Sequence, residues 1–146
     1  MPYNKLAKLP KEITQLRNLD QLNLSYNQLT EVSKEIGQLQ NLAYLDLSNN
    51  ELVELPKEIS QLQNLTHLDL SENGLTEIPK EISQLQNLEQ LYLEGNQLKD
   101  IPKEIGQLRN LTYLNLNENK LVETHKILLQ KLLPYCSIKI LGMLYP

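Results

Sequence analysis

The chain has 146 residues, one cysteine and a formal charge of −4, which suits one domain with a single core and, with Cys136 alone, excludes an intramolecular disulfide. The acidic balance argues against a general grip on nucleic acid phosphates or anionic lipid, so neither nucleic acid nor membrane is expected as a partner. No segment reaches the ~18 apolar residues of a membrane span, and the opening MPYNKLAKLPKEI has no apolar run of signal-peptide length.

Residues 1–18 read as a half repeat, in which Leu6, Leu9, Ile13 and Leu16 supply only part of the apolar set that later copies complete. By the period described next, Met1 corresponds to Leu24, so the chain opens at the end of a strand. Three readings stay open: the half repeat is a modest cap, upstream residues are lost, or a second chain covers the edge. Self-association through this uncapped N-terminal edge is therefore one expectation.

Residues 19–121 hold five strand-bearing repeats, marked by asparagines at Asn27, Asn50, Asn73, Asn96 and Asn119, each 23 residues after the last, with Asn4 one period earlier in the half repeat. The spacing L-x-x-L-x-L-x-x-N-x-L is kept, as in Leu42, Leu45, Leu47, Asn50 and Leu52. Its L-x-L part has period two, so Leu68 and Leu70 face inward while His67, Asp69 and Ser71 face outward on a short strand. Next comes P-K-E-I-x-Q-L, as in Pro56 to Leu62, read as a short helix or helical turn with proline at its first position. No repeat can bury its leucines alone. Stacking gives an α/β, right-handed solenoid with a parallel sheet on a concave face and short helices or helical turns on the convex face.

The polar column Asn27, Asn50, Asn73, Asn96 and Asn119 inside a leucine core requires paired amides, and is read as a structural ladder tying each turn to its neighbouring coil. Residues 122–146 break the pattern. Thr124 and His125 replace the apolar residue and proline; Ile127, Leu128, Leu129, Leu132 and Leu133 make a helical pattern ended by Pro134, and Ile138 and Ile140 alternate as a final strand. This predicts a C-terminal cap with Cys136 as a buried structural residue. No role is assigned to the apolar tail LGMLYP.

The wording LPKEIxQLQNLxxLxLxxNxL, covering roughly Asn4 to Leu121, resembles the bacterial leucine-rich repeats found in numerous copies in leptospires, and the ending KLLPYCSIKI resembles the way such proteins close. The resemblance implies a horseshoe arc, no cofactor, and protein or matrix binding on the concave face. It leans towards export or the cell surface, whereas the lack of a signal segment leans towards the cytoplasm.

Stacking fixes the leucines, asparagines and arcs, so partner information is expected where the copies differ. The outward strand positions run Gln21, Tyr44, His67, Gln90, Tyr113; then Asn23, Asp46, Asp69, Tyr92, Asn115; then Ser25, Ser48, Ser71, Glu94, Asn117. No lysine or arginine stands among them. Tyr44, Tyr92 and Tyr113 offer large contact area at low entropic cost, and Tyr44, Asp46, His67, Asp69, Tyr92, Glu94, Tyr113 and Asn115 form the expected partner-binding set. Asp46, Asp69 and His67 lack a complete metal-ligand set, so no metal is expected. The repeated Lys and Glu of each P-K-E-I read as a solvated face. Sequons at Asn23, Asn64 and Asn110 follow from the repeat itself.

No metal-binding pair on a helix, phosphate-cradling glycine loop or serine elbow is present, and His67 and His125 stand far apart, so no catalysis is expected. The reading is a non-enzymatic module whose concave face binds a protein, with a basic surface and a host protein as candidates. The alternative is a surface or matrix adhesin with weak multivalent contacts.

Overall fold

The computed structural model describes residues 2–141. On the convex side, the Pro56 carbonyl accepts from the Ile59 N–H at 3.1 Å, that of Ile59 from Leu62 at 3.1 Å, and that of Leu62 from Leu65 at 2.9 Å. These i to i+3 bonds define a 3-10 turn over Lys57–Gln61. With three residues per turn, side chains three apart eclipse, so Ile59, Leu62 and Leu65 all point inward and are fully buried. Equivalent turns occupy Lys11–Gln15, Lys34–Gln38, Lys80–Gln84 and Lys103–Gln107. Proline sits one residue earlier than the sequence reading has it. Pro56 is the cap, with φ −67° and ψ 138°, because an extended residue must join strand to turn. Where Ser33 replaces proline, its hydroxyl accepts from the Glu35 N–H at 3.4 Å and also bonds the Glu35 carboxylate, which lowers that carboxyl's pKa.

Among the described residues six strands, β1 (Gln21–Asn23), β2 (Tyr44–Asp46), β3 (His67–Asp69), β4 (Gln90–Tyr92), β5 (Tyr113–Asn115) and β6 (Ser137–Lys139), make one parallel sheet in chain order. Equivalent residues face each other: Leu45 pairs with Leu68, Leu68 with Leu91, and Leu114 with Ile138. Leu45, Leu68 and Leu91 are wholly buried in the core between strands and turns.

The asparagine amides lock successive coils. Asn50 Nδ2 donates to the Leu24 carbonyl of the preceding coil (3.0 Å) and to Leu47 and Ser48 of its own (3.0 and 3.1 Å), while Oδ1 accepts from the Leu29 N–H at 3.0 Å. Asn73, Asn96 and Asn119 repeat this arrangement, and Asn27 accepts from Asn4 and Leu6. The residue before each of these asparagines is left-handed: Tyr26, Asn49, Glu72, Gly95 and Glu118 have φ between 52° and 65°.

At the C-terminal end α1 (Glu123–Leu132) replaces the 3-10 turn and β6 extends the sheet. Leu129, Leu133 and Ile140 are buried, whereas Ile127 and Leu128 are exposed. His125 starts the helix: Nδ1 accepts from the Val122 N–H at 3.1 Å, and Nε2 lies 3.3 Å from Asp100 Oδ1. Cys136 is partly rather than fully buried, against expectation, and desolvation raises its thiol to about 11. At the other end Leu16 is 55% exposed, while its equivalents Leu39, Leu62, Leu85 and Leu108 are wholly covered. The tail residues 142–146 lie outside the described residues. Among the described residues no helix is long and apolar enough to cross a membrane.

Candidate functional site

The period-two geometry of β2 to β5 brings the predicted set together as rows of side chains across the sheet. Parallel register sets Tyr44 beside His67 and Asp69 between Asp46 and Tyr92. Two ring pairs result: Tyr44 and His67 with centroids 6.2 Å apart, and Tyr92 and Tyr113 at 5.2 Å. Tyr92 Oη donates to Gln90 Oε1 at 2.7 Å, and Thr66 Oγ1 lies 2.8 Å from His67 Nδ1, so both side chains are oriented by neighbours.

The two aspartates differ. Asp46 Oδ1 accepts from the Ser48 N–H and hydroxyl at 3.0 and 2.7 Å, and Oδ2 accepts from Asn23 Nδ2 at 3.0 Å. With both oxygens engaged, it is only 8% exposed. Asp69 Oδ1 accepts the same pair from Ser71 at 2.9 and 2.5 Å, but at β4 the residue in register is Tyr92, and among the described residues no donor bonds Oδ2. Burial pushes the Asp69 carboxyl up and the Asp46 charge adds to it, against the Ser71 bonds. Glu94 is raised by burial and then by Asp69, Glu72 and Glu118, and the Tyr44 and Tyr92 phenols are raised by burial first and neighbouring carboxylates or rings second.

Not every predicted residue reaches the surface. Asp46 and Asn115 are buried, and Ser25, Ser48 and Ser71, read from sequence as outward, turn back. Their hydroxyl or N–H bonds the Asx side chain two residues earlier, closing an Asx-turn. Tyr44 is exposed, and His67, Asp69, Tyr92, Glu94 and Tyr113 are half-buried.

A second asparagine row was missed. Asn41, Asn64, Asn87 and Asn110 donate to the Arg17, Gln40, Gln63 and Gln86 carbonyls of the preceding coil at 2.7 to 2.9 Å. The invariant QNL and RNL wording was its signal, and it gives the sequons at Asn64 and Asn110 a stacking role. Among the described residues no three His, Cys, Asp or Glu side chains converge as a metal group. A cleft of about 370 Å³ beside the C-terminal coil, lined by Leu108, Leu132, Pro134 and Cys136 among others, includes none of the candidate residues.

Similarity to known proteins follows the coils. A structure of a leucine-rich repeat protein of Leptospira interrogans is 44% identical, with TM-score 0.75, over 92% of this chain and 40% of its own. An internalin of Listeria monocytogenes shares the fold at 22% identity and TM-score 0.77, over 90% of this chain and 37% of its own. A plant peptide hormone receptor solved in complex with RGF2 gives 29% and 0.66 over 79% and 23%. The chain thus spans less than half of each. No curated protein matches it. The pattern described as leucine rich repeat matches residues 2–52, 17–75, 40–98 and 63–121, overlapping windows in step with the stacked coils, and the chain belongs to the leucine-rich repeat family.

Proposed function

We propose that the protein is a non-enzymatic interaction module that binds a partner protein through the concave face of β2 to β5. The carrying observation is the contrast between invariant coils and two oriented ring pairs, Tyr44 with His67 and Tyr92 with Tyr113, on the outward rows. Rigid aromatic side chains on a fixed sheet bury large area at little entropic cost. The similar plant peptide hormone receptor is solved in complex with RGF2, and extending binding of a protein or peptide partner to this chain is part of the proposal.

The test is a peptide-display selection against the wild type, with each selected peptide re-measured on Tyr92→Ala plus Asp69→Lys. Saturable one-to-one binding that disappears in the double variant is expected. Diffuse, salt-sensitive adherence that ignores both changes would favour the matrix-adhesin reading. The exposed Leu16 edge supports association of two copies as a separate property; sedimentation showing a clean monomer at high concentration removes it.

A further inference from the structure

Resting on the concave-face reading, we infer that this face is built for a basic segment of a partner protein, with an arginine or lysine side chain seated at Asp69 between the two ring pairs. Three observations meet there. The β1 to β5 strands carry no lysine or arginine, and the ion pairs among the described residues, Lys8 with Glu31 and His125 with Asp100, lie elsewhere. Asp69 is anchored through Oδ1 only, which fixes the carboxylate while leaving Oδ2 for an incoming donor. Tyr92 is its register neighbour and pairs with Tyr113, and Tyr44 pairs with His67 on Asp69's own strand, so aromatic rings stand on the strands around the carboxylate. A cation over a tyrosine face and beside a carboxylate gains from both.

Charge complementarity chooses the occupant. Glu94, two residues beyond β4, raises the negative potential, and its carboxyl is held up, after burial, by Asp69, Glu72 and Glu118, a mutual repulsion that an added cation relieves. An acidic partner would worsen that repulsion, and a neutral one would leave it. Asp46 does not compete, because Asn23 and Ser48 already occupy it.

Three blocked hexapeptides test this, alternating alanine with arginine, glutamine or glutamate and titrated into labelled protein by NMR. The arginine peptide is expected to bind saturably, to shift amides of β2 to β5, and to bind about fivefold or more tightly than the glutamine peptide at low salt. Asp69→Asn, which keeps the acceptor that Asn23 and Asn115 supply at their own positions, should lose about fivefold for the arginine peptide, and Asp69→Lys more, while the convex control Glu81→Gln changes nothing. Equal binding of the arginine and glutamine peptides on the concave strands, unmoved by Asp69→Asn, overturns the cation claim and leaves the concave reading intact. Shifts confined to the convex turns overturn both. No saturable binding by any peptide overturns the cation claim.

Discussion

Two polar columns run the length of the solenoid with opposite sequence behaviour. The inner column, Asn27 to Asn119, never changes; the outer one reads Asn23, Asp46, Asp69, Tyr92, Asn115. Each inner amide serves two coils at once: Asn73 donates to Leu47 of the coil before and to Leu70 and Ser71 of its own, and accepts from Leu52. Each outer Asx closes a turn within its own coil, which either carboxylate or amide can do, and β4 dispenses with it altogether by using Tyr92. A residue shared between coils is fixed by both; a residue serving one is free to acquire a second use.

Breaking the inner column should have the largest effect. Asn73→Ala leaves the Leu52 N–H and several carbonyls without their amide partner in a buried layer, and is expected to lose about 1–3 kcal/mol in a urea melt. Asn27→Ala should lose less, since its partners Asn4 and Leu6 lie in the more exposed first coil. An unchanged midpoint for Asn73→Ala would mean that the leucines stack without the ladder.

The left-handed turn beside the ladder gives the next largest change. Gly95 has φ +65°, and a Cβ there would meet the Glu72 carboxylate, so Gly95→Ala should lose about 1–2 kcal/mol. Glu118 holds φ 55° with a full side chain, so Glu118→Gly should gain about 0.5 kcal/mol in the same melt. Equal responses at the two positions would deny that strain is stored in this turn.

Legibility in the sequence follows the same division. The period, the strands and the inner ladder were readable because shared positions admit one residue type. The left-handed column was not: Gly95 and Asn49 advertise positive φ, but Tyr26, Glu72 and Glu118 do not, and tertiary stacking overrides their preference. The x of P-K-E-I-x-Q-L looked free, yet Gly37 has no room for a Cβ, which would sit 2.7 Å from the Glu58 carbonyl of the next coil. Sequence places the tyrosines and Asp69 on the outward rows, where the structure also has them, but could not separate Asp46 from Asp69. That difference lies in what stands one strand away: Asn23 donates to Asp46, whereas Tyr92, in register with Asp69, offers its hydroxyl to Gln90 instead.

The two aspartates sharpen the outer column. Asp46→Ala removes the acceptor for the Ser48 N–H and hydroxyl and for the Asn23 amide in a buried place, and should lose about 1 kcal/mol. Asp69→Asn keeps its turn acceptor and should melt at or above the wild-type midpoint at neutral pH. Equal losses in the two variants would make the columns alike after all.

The smallest effect is the pH dependence of that last variant, and its sign is fixed. Burial raises the Asp69 carboxyl above its ordinary value, so the folded protein holds this proton more tightly than the unfolded chain. Its contribution is fully present below the unfolded value of about 4 and is lost as pH rises through the folded one. Glu94 is shifted the same way, again by burial first. Wild-type stability relative to Asp69→Asn should therefore fall as pH rises above about 4, and more steeply relative to Asp69→Asn with Glu94→Gln, as read from urea midpoints. A rise instead would mean that the Ser71 hydrogen bonds outweigh burial at Asp69. Saturating arginine hexapeptide should flatten the wild-type slope, because a cation beside the carboxylate favours its charged form and pulls the folded value back down.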